Sequence, residues 1–289
     1  MRPMAYTTAR DRAVSYLLSL ADPADAGRIE RRIGVAPQDA SDRGREEEAV
    51  RRSWLMAHRL PVSVLHWVMQ QDDPELNVLV CLHPSADNAI RRQILRGVPC
   101  APDAKRAVLP VSPRLNRGVE EAPLPGRFHE LGLIGTLRAA RTRAQGRTAA
   151  SMVLDRHDWA AVTDADREEA LPGFARWALA VRHDCPPALR RQFGTHAKFH
   201  HRVRAAGAFD SPVEFALDHV PALNVLAVLS LGHRLFPQRL ADASDALRPL
   251  VREYLADDTE AWAVLAQLVQ EFRGGVEELV ITAGAVAGG

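Results

Sequence analysis

Lysine is nearly absent from this 289-residue chain. Lys105 and Lys198 are the only two, and every other basic side chain is arginine. With alanine, glycine and proline also abundant, this reads as a GC-rich coding bias, so arginine alone carries little information about anion binding. Cysteine is scarce too: Cys81, Cys100 and Cys185 form neither a CxxC pair nor an even framework, which excludes a disulfide scaffold and fits a reducing, cytoplasmic compartment. Net charge is almost nil, with 37 basic and 36 acidic side chains, so wholesale attraction to nucleic acid or to a membrane surface is not expected. Long hydrophobic runs are missing: the longest, about 220 to 231, falls short of the ~20 residues a spanning helix needs. No membrane segment is expected. Residues 13 to 21 follow Arg10-Asp11-Arg12 and continue an amphipathic pattern, so they read as a first helix rather than a leader.

Strand signals are equally sparse. Aromatics make up 6%, alternating β-branched runs are few, and no Asn-Gly or Asp-Gly turn joins two of them. Apolar spacing of three and four recurs instead and places helices over 13–20, 50–60, 62–68, 76–82 and 90–95, each stopped near a proline (Pro23, Pro61, Pro74, Pro84, Pro99). In the second half it places them over 164–182, 187–193, 196–206, 212–231, 242–255, 259–272 and 276–287. Thr163 and Asp164 are expected to cap the first of these, Asp258 or Thr259 another, with Gly274 as a left-handed stop. Residues 98–126 hold six prolines and little periodicity, and form either a linker or a strap. A weaker break is expected near 143–148. The domain expectation is an N-terminal helical lobe (1–97), this proline-rich segment (98–126) and a C-terminal helical lobe (127–289).

Residues 79–94 overlie 178–193 without a gap: an apolar helix, a polar turn with proline, then Ala-Ile-Arg91-Arg92-Gln93 against Ala-Leu-Arg190-Arg191-Gln192. Each copy is an αα-hairpin. The unit resembles the HEAT and leucine-rich-repeat-variant class of helical repeats, and the resemblance implies an all-α, irregular solenoid of stacked αα-hairpins in two lobes, with a concave surface. Arg91 and Arg190 are expected to bond carbonyls or acids of a neighbouring unit, and the alternative gives Arg92 and Arg191 an exposed, anion-binding face.

Few motifs point to chemistry. His196 and His200 share a helix face, but a third ligand is lacking and Lys198 and Arg202 stand nearby, so no metal is expected. His157-Asp158 and His183-Asp184-Cys185 hold residue types for an activated thiol, yet chain neighbours rarely reach that geometry. The five tryptophans read as core anchors, and Gly274-Gly275 lacks the lysine of a phosphate loop. No cofactor is expected. The strongest asymmetry is the stretch 176–204, where seven cations face Asp184 alone and Trp177, Phe193 and Phe199 lie among them. Arg182, Arg190, Arg191, Lys198, Arg202 and Arg204 are therefore the candidate binding residues. The leading expectation is a non-enzymatic scaffold whose concave surface takes a protein partner with an acidic segment. The alternative is a nucleic-acid-binding helical repeat, which by resemblance extends to the HEAT-like DNA glycosylases.

Overall fold

The computed structural model describes residues 8–35, 60–101, 107–115, 119–124 and 126–289. The expected helix over 50–60, with Trp54 and His58, lies outside them apart from Leu60. Among the described residues all regular structure is helical, in sixteen helices and no strand. None of these helices is long and apolar enough to cross a membrane.

Prolines start these helices as much as they stop the ones before. Pro23, Pro74, Pro187, Pro212 and Pro237 occupy the first turn, where a missing N–H removes no helical bond. Asp22, Asp73 and Ser211 cap three of these helices with side-chain oxygens. Two of the expected long helices are divided for the same reason. The span 164–182 becomes α8 (Arg156–Glu168) and α9 (Gly173–Ala180), with Pro172 between them. The span 212–231 becomes α12 (Pro212–Asp218) and α13 (Ala222–Leu235), separated at Pro221. Asp155 caps α8, so Thr163 sits inside that helix and its hydroxyl donates to the Trp159 carbonyl. The expected break at 143–148 is itself α7 (Arg143–Ala149), capped by Thr142. Gly274 is not left-handed, and the helix it was expected to stop ends earlier, at Val269, whereas a left-handed Gly34 does end α2 (Pro23–Ile33).

The chain divides into two compact units whose limits are not those of the expected lobes: 1–50 joined with 211–289, and 51–210. The first holds α1 (Ala9–Leu18), α2, α12, α13, α14 (Pro237–Tyr254), α15 (Thr259–Leu268) and α16 (Val276–Ala287). α1 packs on α13, and α16 packs on α14 and α15. The core includes Leu17, Leu226, Leu229, Trp262 and Val280, each fully buried side chain contributing about 1.5–3 kcal/mol. Tyr16 Oη and Ser244 Oγ lie 3.0 Å apart between α1 and α14, and burial, the largest influence, pushes the Tyr16 phenol up to about 12.

The second unit holds α3 (Val62–Met69), α4 (Pro74–Leu82), α5 (Asn88–Leu95), α6 (Gly126–Arg138), α7, α8, α9, α10 (Pro187–Phe193) and α11 (Ala197–Ala205). The start of α3 is tied to the segment after α11, because Ser63 Oγ accepts from Phe209 N at 2.7 Å and donates to Phe209 O at 2.9 Å. Residues 107–115 and 119–124 of the proline-rich segment pack within this unit as a strap. Leu109 and Leu115 are buried, and Leu109 N donates to Gly97 O at 2.7 Å. Gly97 is required there: its φ is +64°, and a Cβ would stand 2.3 Å from the Leu109 oxygen.

The two matching hairpins, α4–α5 and α9–α10, keep the register read from sequence. His83 N to Val80 O matches Arg182 N to Leu179 O, Ala86 N to His83 O matches Cys185 N to Arg182 O, and Arg91 N to Asp87 O matches Arg190 N to Pro186 O.

α7 crosses α9 so closely that a Cβ on Gly146 would meet the Phe174 carbonyl oxygen at 2.4 Å, and both partners are backbone. Gly146→Ala should destabilise the protein by about 1–3 kcal/mol. Exposed Gly27, inside α2 with nothing within 4 Å of an added Cβ, should give about 0.5–1 kcal/mol of stabilisation as Gly27→Ala. Urea unfolding of the two variants should move the midpoint in opposite directions.

Candidate functional site

The second unit has a polar interior, built where its two matching hairpins meet the end of α7. Arg182, 2% exposed, donates from Nη1 to the carbonyls of Ala150 and of Met152, the latter at 2.7 Å. Arg92, 1% exposed, donates from Nη1 to the carbonyl between them, that of Ser151, and from Nη2 to Ala122 O at 2.7 Å. Three successive carbonyls just past α7 therefore face two guanidinium groups, where the free acceptors and negative dipole end of a helix favour cations. Each arginine also meets a carboxylate, and Arg92 shares its own with Arg96. Arg92 Nε bonds Glu121 at 2.8 Å, and Arg182 grips Asp184 with two bonds of 2.8 and 2.7 Å. The Trp159 ring lies over the Arg182 guanidinium at 5.4 Å.

Around this clamp stand the groups with reactive side chains. His183 Nε2 is 3.0 Å from Gln93 Oε1, which ties the second hairpin's turn to the first hairpin's helix. The His183 ring stands 5.5 Å from that of His66, whose Nδ1 is 3.3 Å from the Cys100 thiol. Asp72 receives the Cys100 and Ala101 amides at 2.8 and 3.3 Å. A thiol beside an imidazole is the arrangement of an activated nucleophile, but here the charges oppose it. Burial, then Asp184 and Asp72, pushes the Cys100 thiol well up, so the proton stays on sulfur. Burial also lowers His183 below the usual imidazole range. Burial alone would raise Asp184, but Arg182 and the two imidazoles outweigh it and hold the carboxyl well below the usual carboxylate range.

The adjacent run His183-Asp184-Cys185 does not form a catalytic set. Arg182 takes Asp184, Gln93 takes His183, and burial pushes the Cys185 thiol up to about 12. Asp158 belongs to the capping box of α8 beside His157. His196 caps α11 by accepting from Lys198 N at 3.2 Å, and no group of three or more His, Cys, Asp or Glu able to hold a metal exists among the described residues.

The six candidate cations fall into two sets. Arg182 and Arg190 are interior, a correction to their place on a basic face. Arg190, 5% exposed, donates to Ala180 O at 2.9 Å and pairs with Asp210. Arg191, Lys198, Arg202 and Arg204 are exposed, the first on α10 and the others on α11. The tandem arginines also exchange roles between copies. Arg190 is held by carbonyls and an acid as expected, whereas in the first copy it is Arg92, not Arg91, that is buried. That burial against Glu121 removes Arg92 from an anion-binding face. Gln93 is a repeat position, but nothing in the sequence pairs it with His183, His66 with Cys100, or Arg92 with Glu121, since these groups come from separate elements and meet only through the fold.

No known protein family, curated protein or solved structure matches this chain.

Arg182→Met leaves Asp184 and two carbonyls buried without a partner and should destabilise by about 3–5 kcal/mol in urea unfolding at neutral pH. The pH dependence follows from the shifts. His183 is depressed in the folded state, so the unfolded chain binds its proton first and stability falls as pH drops below about 6.5. The depressed Asp184 contributes stability above about pH 4 that is lost on further acidification. His183→Gln should flatten the loss between about pH 7 and 5, leaving the part due to His219, which burial also lowers.

Proposed function

We propose that this chain is a non-enzymatic binding module whose α10–α11 face docks an acidic segment of a protein partner. The observation that carries it is the set Arg191, Lys198 and Arg202, all exposed and in no ion pair among the described residues. Lys198, His201 and Arg202 stand three and four apart on α11 and share one side of it, opposite the buried Val203. Holding three uncompensated cations on one short stretch favours a partner that brings the missing carboxylates. Arg204 lies on the same helix and is exposed as well.

An acidic protein segment fits this face better than a nucleic acid. Trp177 and Phe199 meet edge to face at 6.2 Å and pack on the core with Phe193, so they do not form an open platform for bases. The heads of Lys198 and Arg202 provide point contacts without aromatic interleaving. The register shared by α4–α5 and α9–α10 supports the finer reading of an irregular solenoid of αα-hairpins with a concave binding surface. The three free cysteines support a reducing, cytoplasmic setting.

Binding to immobilised poly-glutamate and to duplex DNA, compared over a salt gradient, tests the proposal. The intact chain should bind poly-glutamate in a salt-sensitive way, and the double variant Lys198→Glu/Arg202→Glu should bind roughly tenfold more weakly with an unchanged helical spectrum. Equal binding by the variant, or retention by DNA alone, would overturn it.

A further inference from the structure

We propose that a cavity between α6 and α7 binds a small organic anion with an apolar body, its charged end set against Arg127. The cavity measures about 200 Å³. That is below the usual range of drug-sized sites, so the guest is a small molecule. Its walls are alanines: Ala140 and Ala149 form a buried floor, while Ala144 belongs to the exposed rim. The space exists because small side chains face one another across α6 and α7. Gly132, with φ +63° and ψ −169°, breaks α6 and brings residues from both sides of the break, Arg127 and Thr136, to the same cavity.

The polar groups at the cavity select the charge of the guest. Thr136 Oγ1 donates to Gly132 O at 2.6 Å, and Thr148 Oγ1 donates to Ala144 O at 3.0 Å. Gln145 Oε1 accepts from Arg141 N at 2.8 Å, which leaves its NH₂ as the end that bond does not hold. The donors left over are the Gln145 NH₂ and the Arg127 guanidinium, beside the acceptor lone pairs of the two threonine hydroxyls, and Arg127 carries the one formal charge among the lining residues. A head group that only accepts, such as a carboxylate, complements them. The surroundings agree: between 126 and 149 stand five arginines against Glu130 alone, and of these Arg138 is already joined to Glu169. Arg127, Arg143 and Arg147 enter no ion pair among the described residues. Apolar walls under a donor rim reject both a bare ion, which gains nothing from the alanines, and a neutral chain, which leaves the donors unanswered.

Octanoate titrated into the full chain and followed by calorimetry is the direct test, with octanol supplying the body without the charge and sulfate the charge without the body. Octanoate should bind at least about tenfold more tightly than either. Arg127→Gln should remove that advantage over octanol. Ala144→Leu, on an exposed helical position at the cavity, should fill the space and abolish binding of octanoate while leaving the melting temperature in place. No octanoate binding up to about 10 mM, equal binding of octanol, or octanoate binding unchanged in either variant would overturn the proposal. Each variant is read independently of the α11 face, so failure here leaves the docking proposal standing.

Discussion

Two buried guanidinium groups hold three consecutive carbonyls, and the second unit is arranged around that contact. Ala150, Ser151 and Met152 leave α7 with acceptors that have no helical partner, and Arg182 and Arg92 supply the donors from two different hairpins. An unpaired guanidinium would be too costly to bury, so each carries a carboxylate with it: Asp184 from the adjoining turn and Glu121 from the strap. The placement of α7, of the strap and of both hairpins thus becomes a single problem of matching donors to acceptors. Trp159 adds α8 to the same cluster by covering Arg182.

This interior explains why reactive residue types need not mean catalysis. His66, His183, Cys100 and Asp184 lie close together, as they would in a thiol enzyme. The same burial and charge that hold the arginines in place keep the thiol protonated and the imidazole neutral. Among the described residues some exposed cations have no such partners, unlike Arg28, Arg32 or Arg96. Arg191, Lys198 and Arg202 on one side, and Arg127 over its alanine-walled cavity on another, stand outside the donor–acceptor matching of the interior.

The sequence made local features legible and left the distant ones hidden. Helix was readable from the three-and-four spacing, and the register of the two hairpins was readable to the residue, because both depend on neighbours within the chain. Pro172 and Pro221 divided helices that periodicity had joined, since a steric block overrides an apolar pattern. The basic stretch 176–204 was visible as charge but not as burial. Arg190 and Arg191 are adjacent, yet one is interior and the other exposed, and only the position of Asp210 and of the Ala180 carbonyl decides which. No signal in the chain could pair Arg92 with Ser151 or Cys100 with His66, because those contacts close loops of 59 and 34 residues.

A double-mutant cycle on Arg92→Met and Arg182→Met, read by urea unfolding, tests the shared clamp most directly. If both arginines hold the same three carbonyls, the second substitution costs less than the first, with a coupling of at least about 0.5 kcal/mol. Strictly additive losses would mean that the two arginines act apart, and would contradict the account.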